Sequence, residues 1–172
     1  TSNILEEIIV TARRRDEALM AVPMSLTHLD GAALDSLQFR DLDEFLSLSP
    51  GVMAHGGGDQ VSPMITIRGV VSPGELIEPG NSVYVDEVYA SGLRTVLPRF
   101  YDIQSVQVLK GPQAGLFGRN TLGGAVLVTT GQPTDERFAR LDASYAQFDT
   151  RDVNGTANIP VSDAVLLRTT AW

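Results

Sequence analysis

The chain of 172 residues has no cysteine, which excludes thiolate metal centres and disulfide bridges and is neutral about compartment. Positive charge is also scarce: 13 Lys and Arg stand against 21 Asp and Glu, for a net charge of −8. A nucleic-acid face needs clustered Lys and Arg. The one basic run, Arg13-Arg14-Arg15, is followed at once by Asp16-Glu17, so no nucleic-acid partner is expected. No stretch reaches the roughly 18 apolar residues of a membrane-spanning helix. His28 and His55 are the only histidines, and no H-E-x-x-H or paired-His spacing occurs, so no metal site is expected. The chain lacks G-K-S and G-K-T, and its glycines do not give the dinucleotide spacing G-x-G-x-x-G, so no nucleotide cofactor is expected. No nucleophile, base and orienting group come together in the sequence, and the reading is not an enzyme. Asp41, Asp43 and Glu44 are explained as the acidic start of a helix, and Asp86-Glu87 as a turn. The chain begins Thr-Ser-Asn rather than Met, which reads as a processed or trimmed start.

Glycine is present where it is most costly. Residues 103–130 read IQSVQVLKGPQAGLFGRNTLGGAVLVTT: two apolar strand-like runs joined by a loop carrying Gly111, Gly115, Gly118, Gly123 and Gly124. Glycine costs entropy unless the backbone needs positive φ or close approach to another surface. This loop is therefore expected to sit tightly against something.

The rest of residues 23–132 reads as a small α+β domain, a mixed sheet with a few short helices. A strand is expected over 23–30, and a helix over 31–37 capped by Asp30. A second helix follows, capped by Asp41 with Glu44 as its capping-box partner. Leu42, Phe45, Leu46 and Leu48 give it an apolar side, and Ser49-Pro50-Gly51 stops it. A glycine-rich loop follows over 55–60. Strands are expected over 64–68 and 83–88, separated by a long loop with Pro73, Gly74, Pro79 and Gly80. A turn or short helix at 97–102 leads into the glycine-loop region.

Both ends differ from this middle. Residues 5–12 are a short β-prone run followed by charge. That suits either a strand offered to a partner by β-augmentation or an edge strand of the domain's own sheet. After residue 132 the pattern alternates. Ala139, Leu141, Ala143 and Tyr145 share one face, and Arg140, Asp142, Ser144 and Ala146 the other; Val153, Gly155, Ala157 and Ile159 then oppose Asp152, Asn154, Thr156 and Asn158. A turn at 160–163 leads into a third strand. The same period fits a membrane barrel or a water-soluble antiparallel sheet. Three strands cannot close a barrel, so a barrel would be represented here by a fragment.

Several motifs, in order, resemble the TonB-dependent outer-membrane receptors. Val108-Leu109-Lys110-Gly111-Pro112, Leu116-Phe117-Gly118 and Gly123-Gly124-Ala125 before a Val/Thr strand are similar to the end of that family's plug domain. Glu6-Glu7-Ile8-Ile9-Val10-Thr11-Ala12 resembles its TonB box, Ile65-Thr66-Ile67-Arg68-Gly69 its IRG strand, and Val83-Tyr84-Val85-Asp86-Glu87-Val88 its VYVDGV-like strand. The resemblance implies a tail with a TonB-binding segment (1–22), a plug domain (23–132) and the first strands of an outer-membrane barrel (133–172). It implies the cell outer membrane as location, and as partners the periplasmic C-terminal domain of TonB, outer-membrane lipid and a nutrient ligand. Ferric siderophore is the default cargo, with cobalamin, haem or glycans open. By the same resemblance Arg68, Lys110, Gly111, Arg119, Gly123 and Gly124 would meet the inner barrel wall, the two strand-end cations pairing with glutamates there. Outward loops carrying His55, Gly57, Asp59, Gln60, Ser72 and Glu75 would face ligand. Gln107, Lys110 and Glu87 depart from residues common in the family, and Lys110 lacks the bidentate fork of an arginine. The alternative is a soluble periplasmic or secreted binding module with a plug-like fold.

Overall fold

The computed structural model describes residues 9–10, 17–37, 39, 42–55, 64–71, 79–90, 101–146, 150–162 and 164–172. At its centre lie β9 (Ile103–Lys110) and β10 (Gly124–Thr130), antiparallel, with Leu109 opposite Ala125 and Val106 opposite Val128. From residue 106 to 110 and from 124 to 128 every residue is buried. Strands covered on both faces read as continuous apolar runs rather than alternating ones; AVLV has that character, and VQVL departs from it at the buried Gln107. β3 (Ser25–Asp30) adds to the outer side of β9, and β7 (Asn81–Val85) runs parallel to β10. The sheet ends in β8 (Val88–Tyr89), giving the order β3-β9-β10-β7-β8.

One face is covered by α1 (Gly31–Ser36), α2 (Leu42–Leu48) and a small sheet of β4 (Val52–His55), β5 (Met64–Ile67) and β6 (Val70–Val71). Leu34, Leu42, Phe45, Leu46, Ile65 and Ile67 pack there on Val106, Val108 and Val126. Full burial of each large side chain contributes about 2 kcal/mol. The other face is covered by Val10, Val22 and Phe117, which pack on Tyr84, Leu109, Ala125 and Leu127. Asn81 staples the two sheets together, its amide donating to the Ile65 carbonyl at 2.9 Å and the Val70 carbonyl at 2.8 Å.

Local chemistry sets the boundaries. Asp30 accepts from the Ala33 N–H at 2.7 Å and caps α1, as its position before the helix predicts. Asp41 lies outside the described residues. Leu48 was expected on the apolar side of α2; it is 64% exposed, because the buried stripe is complete with Leu42, Phe45 and Leu46. Met53 and His55 belong to β4, where the sequence suggested loop from residue 55 onward. The strand expected over 83–88 is a hairpin: Val85 pairs with Val88, and Asp86 and Glu87 between them have φ of 47° and 66°. Asp86 locks this turn to the end of β10, accepting from the Thr130 N–H at 2.9 Å and hydroxyl at 2.8 Å. The glycine-loop connector contains a one-turn helix, α3 (Ala114–Phe117).

Three further strands, β11 (Phe138–Ala146), β12 (Thr150–Ser162) and β13 (Val165–Ala171), form an antiparallel meander. Residues 160–162, expected as a turn, extend β12, with a register irregularity between Pro160 and Ser162. A bulge is where a strand tolerates proline. The linker before β11 is pinned by the fully buried Asn158, whose amide donates to the carbonyls of Thr134 at 2.8 Å and Glu136 at 2.5 Å and whose oxygen accepts from the Thr134 N–H at 3.0 Å. The faces alternate as the sequence pattern requires. Thr156 and Asn158 are buried toward the α/β domain, while Leu141, Tyr145, Val153 and Val161 project outward, each more than half exposed.

Glu87 occupies a left-handed position that costs a side-chain-bearing residue about 1 kcal/mol relative to glycine. Glu87→Gly is expected to raise stability by about that amount in urea denaturation, with an unchanged slope.

Candidate functional site

The α/β domain meets β11–β13 through side chains that are far apart in sequence. Asp102, just before β9 and with φ of 56°, forms a bidentate ion pair with Arg168 of β13. The Arg168 Nε–Asp102 Oδ2 distance is 2.7 Å, and the Thr170 hydroxyl donates to the same oxygen at 3.0 Å. Arg168 also donates to the Gln132 carbonyl at 3.2 Å and lies 5.0 Å from the centre of the Phe138 ring. The Asp102 carbonyl accepts from the Gly131 N–H at 2.7 Å. A methyl group on Gly131 would come within 2.6 Å of both members of the pair, so a side chain there would push the pair aside. Hydrogen bonding from Arg168 holds the Asp102 carboxyl below its usual range. Beside it, the Tyr101 hydroxyl donates to Asp152 of β12 at 2.7 Å, and its ring stacks on Trp172. A separate contact joins α1 to β11, where Arg140 pairs with Asp35 at 2.5 Å and with Asp142 at 2.8 Å. Sequence reading placed Arg140, Asp142 and Asp152 on polar strand faces and foresaw none of these contacts. The available signal was an arginine and threonines at the inward parity of a strand whose other face is apolar.

Of the residues expected at a barrel wall, the structure brings together Arg68, Lys110 and Gly111. Arg68 and Gly69 form the two-residue turn between β5 and β6, with φ of 51° and 81°. The Arg68 guanidinium reaches back so far that a methyl on Gly111 would lie 3.1 Å from it. Lys110 is 9% exposed, and burial, then the neighbouring Arg68 charge, push its ammonium below the ordinary lysine value. Among the described residues no carboxylate pairs with either cation. Gly123 and Gly124 make a close approach inside the domain. A Cβ on Gly123 would fall 2.2 Å from Asn81 Oδ1, and one on Gly124 2.2 Å from the Leu109 carbonyl and 3.0 Å from Ile67. Arg119 lies over the Tyr89 ring at 5.8 Å, with Asn120 bonded to the Tyr89 hydroxyl.

Of the N-terminal segment, residues 9–10 are docked on the domain. β1 (Ile9–Val10) pairs antiparallel with β2 (Glu17–Ala18), and Val10 is 1% exposed within the second core. Ile9 and Val10 thus pair outside the main sheet. Glu6, Glu7, Ile8, Thr11 and Ala12 lie outside the described residues, as do Gly57, Asp59, Gln60, Ser72 and Glu75. Of His55 the backbone alone is described, pairing with Met64. His28 lies on β3 opposite Gln107, its Nδ1 buried without a hydrogen-bond partner. Burial pushes its pKa down, with Asp30 opposing.

The profile of the family described as "TonB-dependent Receptor Plug Domain" matches residues 18–125. The pesticin receptor of Yersinia pestis is 24% identical over 159 residues, covering 92% of this chain and 24% of the relative. The iron-regulated outer membrane virulence protein of Vibrio cholerae is 26% identical over 181 residues, covering 95% of this chain and 26% of that protein. The crystal structure of the ferric yersiniabactin uptake receptor of Yersinia pestis superposes with a TM-score of 0.75 at 25% identity, covering 83% of this chain and 22% of that one. The chain thus spans about a quarter of the length of the curated relatives it matches.

A buried cation facing another cation destabilises the fold that holds it. Lys110→Met is expected to stabilise the 172-residue chain by about 1 kcal/mol at neutral pH. The folded-state pKa of Lys110 lies below 10.5, so wild-type stability should rise as pH climbs through the folded value toward 10.5, and the methionine variant should lose that rise. Urea titrations at neutral and alkaline pH check both.

Proposed function

The chain belongs to the TonB-dependent receptor plug domain family, and from that membership we propose that it is the plug-bearing part of an outer-membrane receptor for energy-coupled uptake of a scarce nutrient, with ferric siderophore as the default cargo. One observation carries the membrane reading. A water-soluble antiparallel sheet buries its apolar face and wets its polar one. β11–β13 do the reverse, turning Thr156, Asn158, Arg168 and Thr170 toward the domain and Leu141, Tyr145, Val153 and Val161 away from it. That is the arrangement of a barrel wall with lipid outside and a polar lumen within. A soluble binding module would leave the same apolar band in water, where it would associate.

On this reading residues 1–22 are the energy-coupling tail, 23–132 the plug and 133–172 the first strands of a larger barrel whose lumen the plug fills. Glu6 to Ala12 give the periplasmic domain of TonB a strand to pair with. Because Val10 is buried in the plug's second core, that strand has to be drawn out before it is fully augmented. Arg68 and Lys110 present two adjacent charges that a carboxylate on the barrel wall would neutralise. Loops carrying His55, Gly57, Asp59, Gln60, Ser72 and Glu75 supply ligand-facing positions. The relatives named for iron regulation and ferric yersiniabactin uptake support an iron chelate as cargo.

Deleting residues 6–12 from the full-length receptor is expected to abolish uptake of radiolabelled ferric siderophore by whole cells while leaving its binding to the cell surface intact. Unchanged uptake would remove the tail from the mechanism.

A further inference from the structure

β11–β13 carry five charged residues, and four of them have inward parity. Arg140 meets Asp35 and Asp142, Asp152 meets Tyr101, and Arg168 meets Asp102. Arg151 alone shares the outward parity of Val153 and Val161, and it is exposed. Its place along the strand is as specific as its direction. Arg151 lies opposite Tyr145 at the hairpin end of β11 and β12, the end away from the connector that leads out of the plug. From Arg151 to Val161 the strand rises about 34 Å. At a tilt of roughly 45° that spans about 24 Å of the bilayer normal. The apolar band of an outer-membrane barrel is about 25 Å tall and is flanked by aromatic residues. Val161 therefore stands at one rim of the band, and Tyr145 and Arg151 at the other. An outward arginine is costly at the bilayer midplane and nearly free at the interface. Tyrosine suits the same level, with an apolar ring and a polar hydroxyl, and Tyr145 is 73% exposed.

On the uptake reading, on which this inference rests, TonB reaches the tail from the periplasm and the first barrel strand rises from that side. The Tyr145 and Arg151 end then lies in the outer leaflet. We propose that Arg151, with Tyr145 beside it, binds the phosphate of a glycolipid in that leaflet. A guanidinium offers a phosphate two parallel N–H donors, a match that an ammonium lacks. The Tyr145 ring offers a flat apolar surface to the sugar that bears the phosphate. The outward rows below, through Val153 and Leu141, meet the acyl chains, so one continuous face receives head group and tails. A free phosphate would find the arginine and gain nothing from the band.

Native mass spectrometry of the full-length receptor, reconstituted in neutral phospholipid, tests this with three added lipids in turn. They are bisphosphorylated lipid A, the same lipid A with its phosphates removed, and phosphatidylglycerol. The wild type should retain bisphosphorylated lipid A through detergent exchange, and Arg151→Gln should lower its occupancy about tenfold, the loss of one charge-assisted contact. Arg151→Lys should fall between the two, keeping charge without the fork, and Tyr145→Leu should lose part of the occupancy. With the dephosphorylated lipid A, wild type and Arg151→Gln should be alike. Should Arg151→Gln fail to assemble, Arg151→Lys and Tyr145→Leu decide the matter. Equal occupancy in an assembled Arg151→Gln receptor, or wild-type retention that ignores the phosphates, overturns the inference. Equal retention of phosphatidylglycerol overturns the assignment to a glycolipid. A wild-type receptor that does not enter the bilayer overturns the uptake reading itself, and the inference with it.

Discussion

Two adjacent strands buried on both faces govern this structure. Residues 106–110 and 124–128 offer no face to solvent, so the elements that do not extend the sheet are recruited to cover one side or the other. The helices and the small β4–β6 sheet take one face. The other falls to less regular pieces: the N-terminal segment through Val10 and Val22, and the glycine loop through Phe117. Covering such a surface with a tail ties the tail's release to the integrity of the core. Val10 and Val22 of that segment serve as a lid on Leu109, Ala125 and Leu127.

The glycine loop shows how far the sequence could be read. Its glycines signalled that a Cβ was not tolerated, and at Gly123 and Gly124 that holds. The identity of the neighbour was not legible, because steric exclusion says that something is close without saying what. The neighbours are Ile67, Val70 and Asn81 of the same domain. Periodicity located β11–β13, and the cap at Asp30 located α1. Two-residue strands such as β6 and β8 carry too little pattern to be seen, although Asp86-Glu87 read correctly as a turn. The ion pairs at Asp35 and Asp102 join residues 105 and 66 positions apart, a distance over which no local rule operates.

The alternating strands were ambiguous for a different reason. A pattern of period two states which residues share a face, and is silent about which face is inside. That assignment needs the position of the rest of the molecule. With the plug against the polar face, the apolar face is left for a medium less polar than water. Fold, and not composition, resolved it.

The lacing of the linker by Asn158 bears on how the two parts of the chain can move. Its amide is stitched to the backbone at Thr134 and Glu136, and Gly131 is closed against Asp102. The passage from plug to wall therefore has no slack and no swivel. A turn of the α/β domain on this connection would first have to break those hydrogen bonds. The connector acts as a clamp between the end of β10 and the start of β11.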